Sequence, residues 1–347
     1  MTNISEPVVS VIVPVLDTRP YLAACLDSLL AQTLTSLEVI CIDNGSTDGS
    51  MECLREYAKN HSRLHVLRAP REGRLGAARN AGMTAARGEF IGFVDSDDFV
   101  SPSMFEDLHR AAVESAAEMA ICNMSAFYQK DGRRVTMIAP QRLKRDGGFE
   151  IRQRPDLLRN LTSCNRLYSK TLLERLSLRF PEGFYHEDQF FVPRALFGSR
   201  RIVTVPECHY VYRKQRDGAI GLHRGAHNLH IFRVMQMLMD TLTPTEREIF
   251  RGALAEMRIV RYLTLFTNTG GLHRREFYRL MKKDFRETEI ESQPLFLHAN
   301  ERREFHVVRQ TRFAGHALFR AARALYATLR DILKTGRPLA RHPELLS

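Results

Sequence analysis

Residues 90–102 read FIGFVDSDDFVSP: five apolar or small residues run straight into three aspartates within four positions, Asp95, Asp97 and Asp98. Carboxylates crowded this closely repel one another, so the cluster calls for positive charge. Two of them, two residues apart at the end of a strand, point to the same side of the chain and suit one hard cation. Mg²⁺ or Mn²⁺ takes oxygen ligands and completes its shell with water and phosphate oxygens, so Asp95-Ser96-Asp97 points to a metal-held phosphate. The competing reading is a polar loop in which Asp98, or Ser101 before Pro102, caps the next helix.

Three further stretches carry reactive side chains. DNGSTDGS (43–50) fits neither G-x-x-x-x-G-K-[ST] nor G-x-G-x-x-G, which excludes a P-loop and a dinucleotide fingerprint. Asp43 would end a strand with a carboxylate able to accept a hydrogen bond from a base N–H, while Thr47 and Asp48 start the next helix. GFYHEDQFF (183–191) holds the pair Glu187 and Asp188. Either the pair is chemical or it caps QFFVPRALF, and Pro193 inside that run argues against a regular helix. His186 before the pair takes no role. HYVYRKQRDGAI (209–220) sets Arg213 and Arg216 after Tyr210 and Tyr212.

The elements that must position these residues follow from the apolar pattern. SVIVPV (10–15), EVICID (38–43), LHVLRA (64–69) and FIGFVD (90–95) recur about every 26 residues without alternation, as strands buried on both faces do. Helical stretches fill the gaps. Leu22, Cys25, Leu26, Leu29 and Leu30 form one stripe with Thr18 as its cap. Met51, Leu54 and Ala58 face inward behind Ser46 or Thr47 as cap. An alanine-rich helix ends at Gly88 as its C′ glycine. Strand and helix alternating at this period predict a parallel sheet with right-handed crossovers, and ligands of such sheets sit at the strands' carboxyl ends. That rule puts Pro14–Asp17, Asp43–Ser46, Ala69–Arg74 and Asp95–Asp98 on one rim. Beyond it, MFEDLHRAAVESA predicts a helix, EMAICNM a strand and FYQKDGRRVTMI a hairpin turning at Asp131–Gly132.

Charge divides the chain. Residues 1–130 hold 11 Lys and Arg against 17 Asp and Glu; residues 131–347 hold 40 against 23. The second half is therefore expected to meet something anionic or to be a solvated basic surface. Six scattered cysteines without a C-x-x-C pair read as reduced thiols, not a disulfide framework or zinc site. With neither a signal-peptide pattern nor about 18 consecutive apolar residues, the expectation is a cytoplasmic protein.

Taken together, VSVIVPVLDTRPYLAACLDSLLAQT, EVICIDNGSTDGS, GAARNAGMTAARGEFIGFVDSDD and GFYHEDQFF resemble family 2 glycosyltransferases of the GT-A fold, in order and at the family's spacings over about residues 8–220. The resemblance implies an α/β, Rossmann-like, mostly parallel sheet flanked by helices. It implies residues 1–222 as the GT-A domain, with a donor half over 1–125 and an acceptor half over 126–222; the remainder, 223–347, reads from its own residues as a mainly helical, basic C-terminal extension. It implies inverting transfer from a nucleotide-diphosphate sugar, with uracil as the base, to a hydroxyl of a glycan or lipid-linked acceptor, as in cell-envelope polysaccharide synthesis. Pro14 and Asp43 would hold the nucleotide base, Arg79 the nucleotide, and Asp95 the ribose side. Asp97, with Asp95, would bind the divalent metal, Mn²⁺ or Mg²⁺. Asp188 would be the catalytic base with Glu187 the alternative, and Arg216 or Arg213 would clamp the diphosphate.

Residues 302–341 hold ten Lys and Arg and two acidic residues, with Leu318, Ala321, Ala322, Leu325, Leu329, Ile332 and Leu333 at helical spacing. That profile fits a helix lying on an anionic membrane, and equally one packed on the domain or in an oligomer contact. Rival readings are weaker. A sugar nucleotidyltransferase resembles a glycine-rich loop after its first strand, and VPVLDTRPY lacks one. A sugar-nucleotide-binding protein without chemistry would not need both Asp97 and Asp188. No nucleic-acid motif occurs in the basic half, and the acidic rim would repel phosphates unless a metal intervened.

Overall fold

A computed structural model describes residues 6–129, 131–137, 143–144, 146–214, 225–271, 273–287, 299–310, 313 and 316. The first half alternates β1 (Val9–Val15), α1 (Arg19–Leu30), β2 (Leu37–Asp43), α2 (Ser50–Asn60), β3 (Leu64–Arg68), α3 (Arg74–Ala85) and β4 (Phe90–Phe93). Then follow β5 (Phe99–Val100), α4 (Met104–Glu114), β6 (Met119–Tyr128), β7 (Arg134–Met137), β8 (Asp146–Phe149), β9 (Arg166–Ser169), α5 (Lys170–Arg175), α6 (Asp188–Gly198) and β10 (Ile202–Lys214). Helices α7 (His230–Thr241), α8 (Pro244–Ile249), α9 (Arg251–Thr267), α10 (His273–Glu287) and α11 (Ala299–Gln310) complete the described chain.

One sheet runs in the order β3-β2-β1-β4-β9-β6-β10-β5, with β7 beside β6 and β8 beside β10. The first four strands are parallel, as the sequence predicts. β9 then enters antiparallel between β4 and β6. Residues of β1 and β2 are buried throughout, which is why these strands are rich in Val and Ile and show no alternation. β3 lies at the edge and only Leu64 is fully buried, so the expectation of burial on both faces fails there. Pro14 is tolerated in β1 because its nitrogen faces the β4 side, where pairing stops at Ile12.

Helix α3 lies close on β1 and β2. A Cβ at Gly82 would stand 2.5 Å from Ile12 Cγ2 and 2.8 Å from Ile42 Cδ1, so glycine sets the helix-to-sheet distance. The expected caps are corrected in three places. Thr18 is the N-cap residue of α1, but its hydroxyl donates instead to Ser96 Oγ at 2.9 Å. Gly49, not Ser46 or Thr47, is the N-cap residue of α2. Helix α3 ends before Gly88, whose missing side chain serves a close approach: a Cβ would lie 2.6 Å from the Ser10 nitrogen. The hairpin forms as expected, with Gly132 at φ +67° donating to Tyr128 O at 2.9 Å. All six cysteines are free, five of them buried.

Candidate active site

The four rim loops are tied to one another by side chains rather than by the ladder. Asp17, at a positive φ of 49°, accepts the Thr47 N–H at 2.7 Å and pairs with Arg71 at 3.2 Å, while its own N–H donates to Ser46 Oγ at 3.1 Å. Asn44 Nδ2 donates to Pro70 O at 2.6 Å, linking the second loop to the third. The Thr18 hydroxyl reaches Ser96 in the fourth. Ser46 and Thr47 are therefore spent on loop contacts, which explains why they do not cap α2. Asp43 is buried at the end of β2 and accepts the Ser46 N–H at 3.2 Å.

Asp95 to Asp98 form a tight turn closed by Asp98 N–H donating to Asp95 O at 3.0 Å. Asp95 and Asp97 are half-buried, and Asp98 is buried. Asp98 caps no helix; Ser103 is the N-cap residue of α4. Its carboxylate instead accepts the Tyr210 hydroxyl at 2.5 Å and the Arg213 N–H at 2.7 Å. Burial and the charges of Asp97 and Asp95 push the Asp98 carboxyl well up, against the pull of those two donors. Tyr210 Oη also accepts the Asp95 N–H at 3.3 Å. Arg213 Nε donates to Asp97 O at 2.8 Å, and its guanidinium stands over the rings of Tyr21, Phe99 and Phe127. So β10 grips the aspartate turn from beneath. Arg213 is committed to that grip, and Arg216 lies outside the described residues. Cys25 Sγ donates to Asp95 O at 3.7 Å from the opposite side.

Arg79 is the centre of the arrangement. Its guanidinium, 2% exposed, lies 2.9 Å from Asp95 Oδ1, hydrogen-bonds Glu187 Oε1, and stands 3.5 Å from Asp188 Oδ1. Three carboxylates from two distant segments thus share one buried cation. They raise its pKa against the lowering effect of burial. Beneath it, Phe180 stacks on Phe191 with centroids 3.8 Å apart, and Phe93 meets both edge-on. The neighbouring Asn80 donates to Phe180 O at 2.9 Å and accepts the Phe180 N–H at 2.9 Å, stitching α3 to the segment before α6.

Glu187 is the N-cap residue of α6 and Asp188 its first residue, so the helix forms despite Pro193. Burial raises both carboxyl pKa values, and Arg79 works against that rise. Hydrogen bonding from Ser163 also restrains Asp188. Asp188 Oδ1 is buried yet has no hydrogen-bond partner among the described residues. His186, without a role in the sequence reading, sits at φ 66° with Nδ1 3.2 Å from Arg261 Nη2. Burial, Arg261 and His227 lower its pKa to about 3. Arg261 belongs to α9 and was missed because nothing in a helical basic stretch marks one arginine.

Among the described residues, no three His, Cys, Asp or Glu side chains converge as a closed metal cage. Asp95 and Asp97 offer carboxylate oxygens alone, the donor set of a cation whose shell is completed by water and phosphate. No described helix is long and apolar enough to cross a membrane.

A mixed sheet whose first four strands are parallel, with a D-x-D turn at their rim, is the GT-A fold, and the chain belongs to glycosyltransferase family 2. The family model described as Glycosyl transferase family 2 matches residues 10–177. The glycosyltransferase YibD of Escherichia coli K12 is 31% identical over 242 residues, 66% of this chain and 69% of that protein. EpsJ, a glycosyltransferase of Bacillus subtilis 168, is 35% identical over 60% of this chain, which spans about three fifths (61%) of EpsJ. Staphylococcus aureus TarS 1–349, solved with UDP-GlcNAc, shares the fold with a TM-score of 0.73 at 21% identity, covering 92% of this chain and 91% of that one. The TarS sequence, named a poly(ribitol-phosphate) beta-N-acetylglucosaminyltransferase, is 30% identical over 60% of this chain and 36% of its own length.

Proposed function

We propose that the chain transfers a sugar from a UDP-sugar to a hydroxyl of a glycan or lipid-linked acceptor, inverting the anomeric centre. The observation that carries this reading is Asp188 Oδ1, a buried carboxylate oxygen without a hydrogen-bond partner among the described residues, across Arg79 from Asp95. Such an oxygen suits an incoming hydroxyl, the one ligand that both needs an acceptor and must lose a proton. The UDP-GlcNAc held by TarS supports the donor class.

In this reading Asp188 accepts the acceptor's proton as its oxygen attacks the anomeric carbon, help typically worth ~10²–10⁴ in rate. Glu187 is the poorer base because Arg79 hydrogen-bonds it directly, whereas Asp188 Oδ1 stands 3.5 Å from the same guanidinium. Pro14 and Asp43 border the base pocket, and Asp95 lies toward the ribose. Arg79 holds the nucleotide side and the base side in one register. Asp97, with Asp95, would hold the divalent metal, Mn²⁺ or Mg²⁺, which when bound neutralises charge on the departing diphosphate, an effect of several kcal/mol. Arg213 fits a positioning role better than a diphosphate clamp, since its guanidinium is already held. Residues 1–222 would carry catalysis, and the helices after 223 would border the acceptor. The basic segment beyond residue 316, with its membrane or oligomer contact, lies outside the described residues.

A donor screen tests this. UDP-GlcNAc, UDP-glucose and GDP-mannose are titrated with Mn²⁺ or Mg²⁺ against the wild type, Asp97→Ala and Asp188→Asn. The reading expects metal-dependent binding of a UDP-sugar, lost in Asp97→Ala and kept without turnover in Asp188→Asn. Binding of no nucleotide sugar with either metal would sink it.

A further inference from the structure

A second constellation adjoins the carboxylate pair. Arg74, where α3 begins, lies with its guanidinium carbon 4.2 Å from the Tyr185 ring centroid. The same ring meets His227 at 4.8 Å and His230 at 5.7 Å. His230 Nδ1 accepts the Tyr185 N–H at 3.2 Å. His186 lies 6.5 Å from His227 and touches Arg261 at 3.2 Å. These six residues form a continuous wall, every member half-buried and none sealed from solvent. The Gly183 N–H, donating to Gly73 O at 3.1 Å, fixes the loop against the start of α3.

Arg258 of α9 pairs with Asp284, and Arg159, outside the helical region, pairs with Glu256 of α9 and Glu301 of α11. Arg74 and Arg261 sit in no ion pair among the described residues, and Arg261 Nε is buried without a hydrogen-bond partner there. A buried donor left unmade is costly unless a ligand satisfies it. Arg261 touches His186, the residue directly before Glu187 and Asp188, so the wall runs into the carboxylate pair.

We propose that Arg74, Tyr185, His186, His227, His230 and Arg261 form an acceptor subsite for a phosphate group carried by a polyol or glycan chain. The proposal rests on Asp188 being the base. Two guanidinium forks and imidazole N–H groups match the several oxygens of a phosphodiester, and the Tyr185 ring is the platform on which Arg74 and two of the histidines are gathered. The subsite joins the catalytic half to α9, so the helical region supplies acceptor specificity.

The test uses the full chain with a ribitol-phosphate oligomer, an uncharged ribitol-containing oligomer of matched length, and UDP, each titrated calorimetrically. The wild type is expected to bind the phosphate oligomer at least tenfold more tightly than the uncharged one. Arg74→Gln and Arg261→Gln should each weaken that binding about tenfold, Arg261→Lys should restore most of it, and UDP affinity should stay within threefold in all variants. Equal loss of UDP and oligomer binding would assign the wall to the donor's diphosphate and overturn the proposal. So would equal binding of charged and uncharged oligomers, or no oligomer binding by a wild type that still binds UDP. A wild type that fails to bind UDP refutes the UDP-sugar reading instead, while the two oligomers still decide the subsite.

Discussion

Arg79 joins Asp95 to Asp188: one nitrogen of its guanidinium lies 2.9 Å from Asp95 Oδ1 and the other 3.5 Å from Asp188 Oδ1. One buried cation thus ties the aspartate turn to the carboxylate proposed as the base. Its removal leaves three carboxylates facing one another in a buried place. Arg79→Met should cost about 3–5 kcal/mol, the usual result of stripping one partner from a buried ion network. Urea unfolding followed by circular dichroism checks this, and an undiminished midpoint would mean that water reaches the carboxylates.

Asp188 predicts a pH dependence. Burial raises its pKa above the usual aspartate range, and Arg79 restrains the rise. The carboxylate form is the base, so transfer should fall as pH drops through that raised value, placing the acid limb of kcat/KM above the range of an exposed aspartate. Stability runs the other way: an acid whose folded pKa exceeds its unfolded one costs stability once pH rises through the folded value. Rate profiles of the wild type between pH 4 and 9 give the limb, and a limb at the exposed-aspartate value refutes the assignment.

The two carboxylates of α6's first turn should behave differently. Asp188→Asn should lower transfer by ~10²–10⁴ with donor binding retained. Glu187→Gln should lower stability as well, because Arg79 loses a hydrogen-bonded ionic partner. Parallel melting curves and donor titrations separate the two. Identical profiles would mean that the pair acts only as a structural unit.

Tyr210→Phe removes a hydroxyl that donates to Asp98 at 2.5 Å and accepts the Asp95 N–H at 3.3 Å. A loss of about 1–3 kcal/mol in stability is expected for the unpaired buried groups. Metal-dependent donor binding should weaken with it, since the aspartate turn loses its support. Calorimetric titration with and without Mn²⁺ would detect this.

Gly82→Ala should destabilise by about 1–3 kcal/mol, because its Cβ would press on Ile12 and Ile42 from 2.5 and 2.8 Å. A variant as stable as the wild type would mean that α3 can lift from the sheet at little cost.

The parallel half of the fold was legible because β1 and β2 are rich in Val and Ile, β4 is a short apolar run, and all three recur on a regular period. Local signals misled where side chains serve distant partners. Ser46 and Thr47 resemble caps but tie to Asp17, and Thr18 turns to Ser96. Pro193 weakened the case for α6, yet the one hydrogen bond it omits would reach back to Gln189 near the helix start, and the helix continues past it. The site was legible as a set of motifs and not as a constellation. Arg79 and Glu187 lie 108 positions apart, and Tyr210 and Asp98 112 apart, so nothing local announces either contact. Arg261 had no sequence signal, because its meaning comes from the loop that α9 packs against.

The thiols close on a practical consequence. Five are sealed in the interior, and only Cys208 is half-buried, at a register shift in β10 two residues before Tyr210. Cys208 is therefore the least buried of the six thiols and the natural attachment point for a fluorophore or spin label, in the very strand that supports the aspartate turn. Occupancy of the rim could be followed from that position in real time, without substituting any residue.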